Sequence, residues 1–152
     1  MSFTTLIWEQ VINSTVEKVW DFIATPKNLS VITPDYMGFN IISKELPDKM
    51  YEGLIIAYKV KPLLGIQLTW VSEIVCIKEF HYFIDEQKIG PYKFWHHTHI
   101  ITPVENGVLM KDILNYKPPL SFIGSVLNQI VIKKKLYEIF AYRRKKIEEI
   151  FR

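Results

Sequence analysis

The sequence predicts an α+β fold: a curved antiparallel sheet of six or seven strands, two short helices after the first strand, and a long C-terminal helix across the concave face. Three observations carry this. From about residue 38 to 117, β-prone runs follow one another with only short turn-forming gaps between them. Gaps that short allow hairpins but not crossover helices, so neighbouring strands are antiparallel. The last 30 or so residues contain no helix breaker except Gly124 and place apolar residues at helical spacing.

The elements can be justified in order. Phe3 to Ile12 is rich in β-formers and reads as the first strand. Ser14-Thr15-Val16-Glu17 has the serine-to-glutamate spacing of a capping box. Behind it Val16, Val19, Trp20 and Ile23 fall on one helical face. Thr25-Pro26 opens a second, shorter helix, and Pro34 ends it because the residue before a proline avoids helical geometry. The period then becomes two. Strands are expected over 38–45, 54–61, 67–78, 82–88, 92–102 and 108–117, separated by Pro47-Asp48, Pro62 with Gly65, Gly90-Pro91 and Asn106-Gly107. Pro118-Pro119 stops the last strand. A helix from about Ser121 to Phe151 would be about 45 Å long. Ile132, Leu136, Ile139, Phe140, Ile147 and Ile150 mark its spacing, with Ile132, Leu136, Ile139 and Phe140 toward the sheet.

Composition narrows the function. The 152 residues fit one domain, residues 1–152. Hydrophobic residues make up 49% and aromatic residues 14% of the chain, which suits a dense core or an apolar ligand pocket. Cys76 is the only cysteine, which excludes an internal disulfide and a thiolate metal cluster and points to a cytoplasmic compartment. It lies in the apolar run Ile74-Val75-Cys76-Ile77 and reads as a packed thiol rather than a nucleophile. Met1-Ser2-Phe3-Thr4-Thr5 lacks the basic and apolar regions of a signal peptide, and no apolar stretch is long enough to span a membrane. A net charge of +3 is too small alone to imply a nucleic-acid partner, and none is expected. Lys133-Lys134-Lys135 and Arg143-Arg144-Lys145-Lys146 read as a solvated helix face, with a patch for an anionic membrane or a nucleic acid as the alternative. Neither a G-x-S-x-G elbow nor a glycine-rich phosphate loop is present.

Strand parity selects the candidate site. Trp95, His97, His99 and Ile101 share one face of their strand, and Met110, Asp112, Leu114 and Tyr116 share one face of the next. Lys111 and Asn115 belong in water, so the Asp112 face points inward. Phe83, Asp85 and Gln87 lie together on the preceding strand, where a tight turn at Gly90-Pro91 would set Phe83 and Asp85 beside His97 and Trp95. This places a polar cluster of Asp85, Gln87, His97, His99 and Asp112 among Trp70, Trp95, Met110 and Tyr116. Four roles are open to it: a self-satisfied hydrogen-bond network, an anchor for a ligand head group, a histidine–aspartate acid–base pair, or a metal site. His-x-His is a weak metal motif, and no metal or cofactor is expected. Leu136 and Phe140 complete the expected ligand-binding set from the helix side.

Four stretches carry a family resemblance: Val16-Glu17-Lys18-Val19-Trp20-Asp21-Phe22-Ile23; Phe83-Ile84-Asp85-Glu86-Gln87-Lys88-Ile89-Gly90-Pro91-Tyr92; Trp95-His96-His97-Thr98-His99; and Ile139-Phe140-Ala141-Tyr142-Arg143. With the element order, they make the chain resemble the SRPBCC, or START-like, superfamily, in particular its ligand-binding branch often labelled polyketide cyclase/dehydrase-like. Ala141 stands where relatives commonly carry aspartate, and Pro118-Pro119-Leu120 where they carry a Pro-Phe-Gly-like segment. The resemblance implies a helix-grip fold and the binding or transport of a small hydrophobic or amphipathic molecule in an internal cavity. Two alternatives stand beside it. One is a cyclase/aromatase- or hydrolase-like enzyme using His97, His99 and Asp112. The other is an interaction module using the basic C-terminal helix.

Overall fold

The computed structural model describes residues 3–62, 64–119 and 125–152. Seven strands form one antiparallel sheet: β1 (Thr4–Ile12), β2 (Asn40–Ile41), β3 (Ile55–Val60), β4 (Leu68–Lys78), β5 (Tyr82–Ile89), β6 (Phe94–Val104) and β7 (Gly107–Lys117). Their spatial order is β1-β7-β6-β5-β4-β3-β2. The strands from β2 to β7 are a meander, and β1 closes onto β7 from Thr4↔Tyr116 to Ile12↔Val108. β1 and β2 therefore lie at opposite edges, and the segment joining them must cross the open end of the sheet.

That segment holds helix α1 (Val16–Ile23), whose buried Val19, Trp20 and Ile23 form the face its spacing implied. Thr15, not Ser14, is the N-cap: its hydroxyl accepts from the Lys18 backbone N–H, while the Ser14 N–H donates to the Ile12 carbonyl. The expected second helix is a single 3₁₀ turn, Pro26–Leu29, followed by another at Asp35–Met37. Asn28 and Thr33 turn their side chains onto backbone carbonyls there, which competes with regular helix. The strand expected over 38–45 shrinks to the two residues of β2. The Ser43 hydroxyl instead accepts the Ala57 N–H and ends the ladder.

Curvature is written into the β4–β5 pair. Its register slips between Val71 and Ser72, where Lys88 of β5 is the extra residue, and again between Ile74 and Cys76, where Val75 of β4 is. Each slip is a bulge that bends its strand and sharpens its twist. At the other end of the sheet the β6–β7 hairpin turns at Val104↔Gly107. Gly107 has φ +134°, and a Cβ there would stand 2.1 Å from the Ile12 carbonyl oxygen, so the approach of β1 requires glycine.

Helix α2 (Ser125–Ile150) lies across the concave face. The start expected near Ser121, together with Leu120 and Gly124, falls outside the described residues. Ile132, Leu136, Phe140 and Ile147 are buried, and Ile139 packs on the core as expected. Ile150 is exposed. Trp8 and Phe140 stack at 3.7 Å and fasten the helix to β1.

Candidate functional site

The space between sheet and α2 is not fully packed. A cavity of about 110 Å³ lies above the middle of β3 to β7, with Trp70, Phe83, Asp85, Trp95, His97, His99 and Met110 from the sheet around it. A second of about 90 Å³ adjoins it under α2, where Leu136 and Phe140 form the roof. Tyr58, Trp70, Trp95, His97 and Arg143 border both compartments. The aromatic partition is tight: Trp95 stands edge-on to Trp70 at 5.0 Å and tilted to Tyr92 at 4.8 Å. The Trp70 indole N–H donates to the Ser72 hydroxyl, and the residue lines both compartments.

The histidines sit where parity placed them, in a register two residues from the expected one. Phe83 pairs with His99 and Asp85 with His97, rather than with His97 and Trp95. A shift of two preserves the face, so the same side chains still meet. On the other flank His99 pairs with Asp112.

The result is a closed ring of two carboxylates and two imidazoles. His97 Nε2–H donates to Asp112 Oδ1 at 2.9 Å, and His99 Nδ1 is 3.0 Å from the same oxygen. His99 Nε2–H donates to Asp85 Oδ2 at 2.7 Å, while His97 Nδ1 lies 3.6 Å from that atom. Phe83 stacks on the His99 ring at 4.1 Å. Gln87 stands apart from this cluster, contrary to expectation. Its side chain folds over Gly90 and holds both the N–H and the carbonyl of Tyr92. Tyr116 is buried against Tyr92 and serves the core.

Charge follows from these contacts. Burial opposes ionisation of Asp112, but hydrogen bonds from His97 and His99 outweigh it and hold the carboxyl well below the usual range. Asp85 is lowered in the same way: burial opposes it, and the His99 hydrogen bond with the nearby charges of His97, His99 and Arg143 prevails. His97 is pushed down by burial and then by the charge on His99, against its bond to Asp112. Burial also acts to lower His99, but its bonds to Asp112 and Asp85 carry it above the ordinary value. The ring therefore favours the charged form of His99, between two carboxylates, and the neutral form of His97.

Arg143 belongs to this site and was assigned from the sequence to a solvated face. It follows Leu136 and Phe140 and precedes Ile147 on the inward stripe of α2, at i+7, i+3 and i−4, so the spacing held the signal. Its guanidinium lies 4.8 Å from the Phe140 ring centroid, and its Nε is buried without a hydrogen-bond partner among the described residues. The other cations of the helix face outward: Lys135, Arg144 and Lys146 pair with Glu138, Glu148 and Glu149. Tyr58, also missed, points inward from β3, and burial pushes its hydroxyl above its usual range. Cys76 is partly buried beside the Tyr82 hydroxyl and lies outside the cluster.

No protein-family model matches the chain, and no curated protein does. Solved structures do. A structural-genomics protein from Rhodobacter sphaeroides superposes with TM-score 0.71 at 15% identity, over 97% of this chain and 91% of that one. The protein TTHA0849 from Thermus thermophilus gives 0.69 at 17% identity, over 96% and 95%. The major latex-like protein 151 of Panax ginseng gives 0.67 at 12% identity, over 99% and 98%. Among the described residues no helix is long and apolar enough to cross a membrane. With its seven-stranded curved sheet closed by one long helix, the chain has a helix-grip fold, shared with these solved structures.

Proposed function

We propose that the protein binds a small hydrophobic or amphipathic molecule between the sheet and α2. One observation carries this reading: the interior stays open where aromatic walls meet a buried polar cluster, the combination that fixes a ligand's apolar body and orients its polar end. The apolar part packs against Trp70, Phe83, Trp95 and Met110, and the polar end faces His97, His99, Asp85 and Arg143. The volumes set the scale. Compartments of about 110 and 90 Å³ are each smaller than the cavity of about 150 Å³ that takes benzene, whereas the two together have room for one ring or a short chain. Such a ligand needs Trp70 or Trp95 to change rotamer and join the two.

Titration of the protein with apolar probes tests this through tryptophan emission. Trp95 borders both compartments, so Trp95→Phe is expected to lose most of the response. A response equal to the parent's contradicts the placement of the ligand.

A second reading, acid–base catalysis on such a molecule, is favoured by His97. Asp112 orients its ring from behind, and its other nitrogen, 3.6 Å from Asp85 Oδ2, is the one that would take a proton on the cavity side. His97→Gln would then abolish turnover while binding persists; retained turnover excludes the role.

A further inference from the structure

The four contacts that close the ring of carboxylates and imidazoles are unequal. Four imidazole nitrogens meet carboxylate oxygens, at 2.9, 3.0, 2.7 and 3.6 Å. Three of these contacts are within hydrogen-bond range, and the fourth, His97 Nδ1 to Asp85 Oδ2, is the longest and lies beyond it.

Asp112 has a different part from Asp85. One of its oxygens lies against His97 Nε2 and His99 Nδ1, which turns His97 Nδ1 and His99 Nε2 toward Asp85. That is how an outer carboxylate orients histidines that hold a metal: it takes one ring nitrogen and presents the other. One donor atom from each of Asp85, His97 and His99 lies within 4.8 Å of the others. These three border the 110 Å³ cavity, whereas Asp112 lies behind them and lines a separate groove against α2.

We propose that Asp85, His97 and His99 bind a divalent first-row transition-metal ion, with Asp112 as the outer carboxylate and the cavity supplying an open position. Two imidazoles and one carboxylate with a vacant side is a donor set for zinc or ferrous iron. Donors about 2.1 Å from a tetrahedral ion stand about 3.4 Å apart. The His97–Asp85 contact of 3.6 Å is near that spacing, and the His99–Asp85 contact of 2.7 Å opens once His99 releases its Nε2 proton to solvent. Two negative carboxylates then balance the ion's charge. Arg143 borders the same cavity, so the open position favours an anionic fourth ligand such as hydroxide or a carboxylate.

The test uses the full chain stripped with a chelator. Zn²⁺ is titrated by calorimetry and Co²⁺ by its visible absorption, with one equivalent per chain expected. Asp85→Asn and His97→Gln are each expected to weaken binding by at least about 100-fold, and Asp112→Asn by about 10- to 100-fold. His96→Gln is expected to bind as the parent does, since His96 lies on the opposite face paired with Glu86. Should a variant fail to fold, histidine NMR of the parent decides: Zn²⁺ moves the His97 and His99 ring signals and spares His81 and His96. Absence of saturable binding of either ion, parental affinity in Asp85→Asn, or unmoved His97 and His99 signals overturns the proposal.

Discussion

Replacing Asp112 by asparagine probes the energetics of the site in chelator-treated protein. The carboxylate is all but enclosed, with 8% of its side chain exposed, and His97 retains 4%, so solvent does little to screen them. One Asp112 oxygen serves both rings at 2.9 and 3.0 Å. A hydrogen bond to a charged partner contributes about 1.5–3 kcal/mol, and breaking a buried ion pair costs about 3–5 kcal/mol. The asparagine carbonyl still accepts from one ring, so the expected loss is about 3 kcal/mol while His99 is charged. The sign with pH follows from His99, whose value is raised in the folded state. Its contribution is full below the unfolded value of about 6.5 and fades as pH rises through the higher folded value. Asp112 is lowered, so its own contribution is present above about pH 4 and fades below. The variant is therefore most penalised between about pH 4 and 6.5, and as pH rises through the folded His99 value the loss falls toward about 1.5 kcal/mol, that of a neutral donor on an ionised carboxylate. Urea unfolding of parent and variant at about pH 5.5 and 8 measures both differences. Histidine NMR adds that His97 titrates below and His99 above the ordinary value of about 6.5 in the parent, with His99 falling in the variant. Equal losses at the two pH values, or an unmoved His99, refute this reasoning.

Two further outcomes follow from the cavity. Leu136→Ala removes a side chain that is 2% exposed and roofs the second compartment; urea unfolding should show a loss of about 3 kcal/mol, and calorimetry tighter binding of bulkier apolar probes. Arg143→Met removes the cation beside the cluster, so competition assays should show a carboxylate-bearing probe losing at least about tenfold in affinity relative to its alcohol, about 1.4 kcal/mol.

Much of this was legible in the residues because side-chain period and strand parity are local. The alternation Trp95, His97, His99 and Met110, Asp112, Leu114 was enough to bring the cluster together. The register was not, because it depends on the turn after β5. Gln87 closes that turn on the Tyr92 backbone, and no pattern of apolar residues marks such a bond. The bulges at Lys88 in β5 and Val75 in β4 escaped for the same reason, since each inserts one residue into a run that still reads as a strand. β2 and the Pro26–Leu29 turn were over-read: their propensities suit longer elements, but Ser43, Asn28 and Thr33 spend their side chains on the backbone. Arg143 was hidden by its company. Between Tyr142 and Arg144-Lys145-Lys146 it reads as surface charge, and only the stripe of Leu136, Phe140 and Ile147 sets it inward.

The central claim, a small molecule held between sheet and helix, is tested most directly by native mass spectrometry of the freshly purified protein. The expected result is a species heavier than the chain by the mass of one small apolar or amphipathic compound, lost on denaturation and reduced in Trp95→Phe. A spectrum containing only the bare chain, with no small molecule retained when apolar and amphipathic compounds are added, would contradict it.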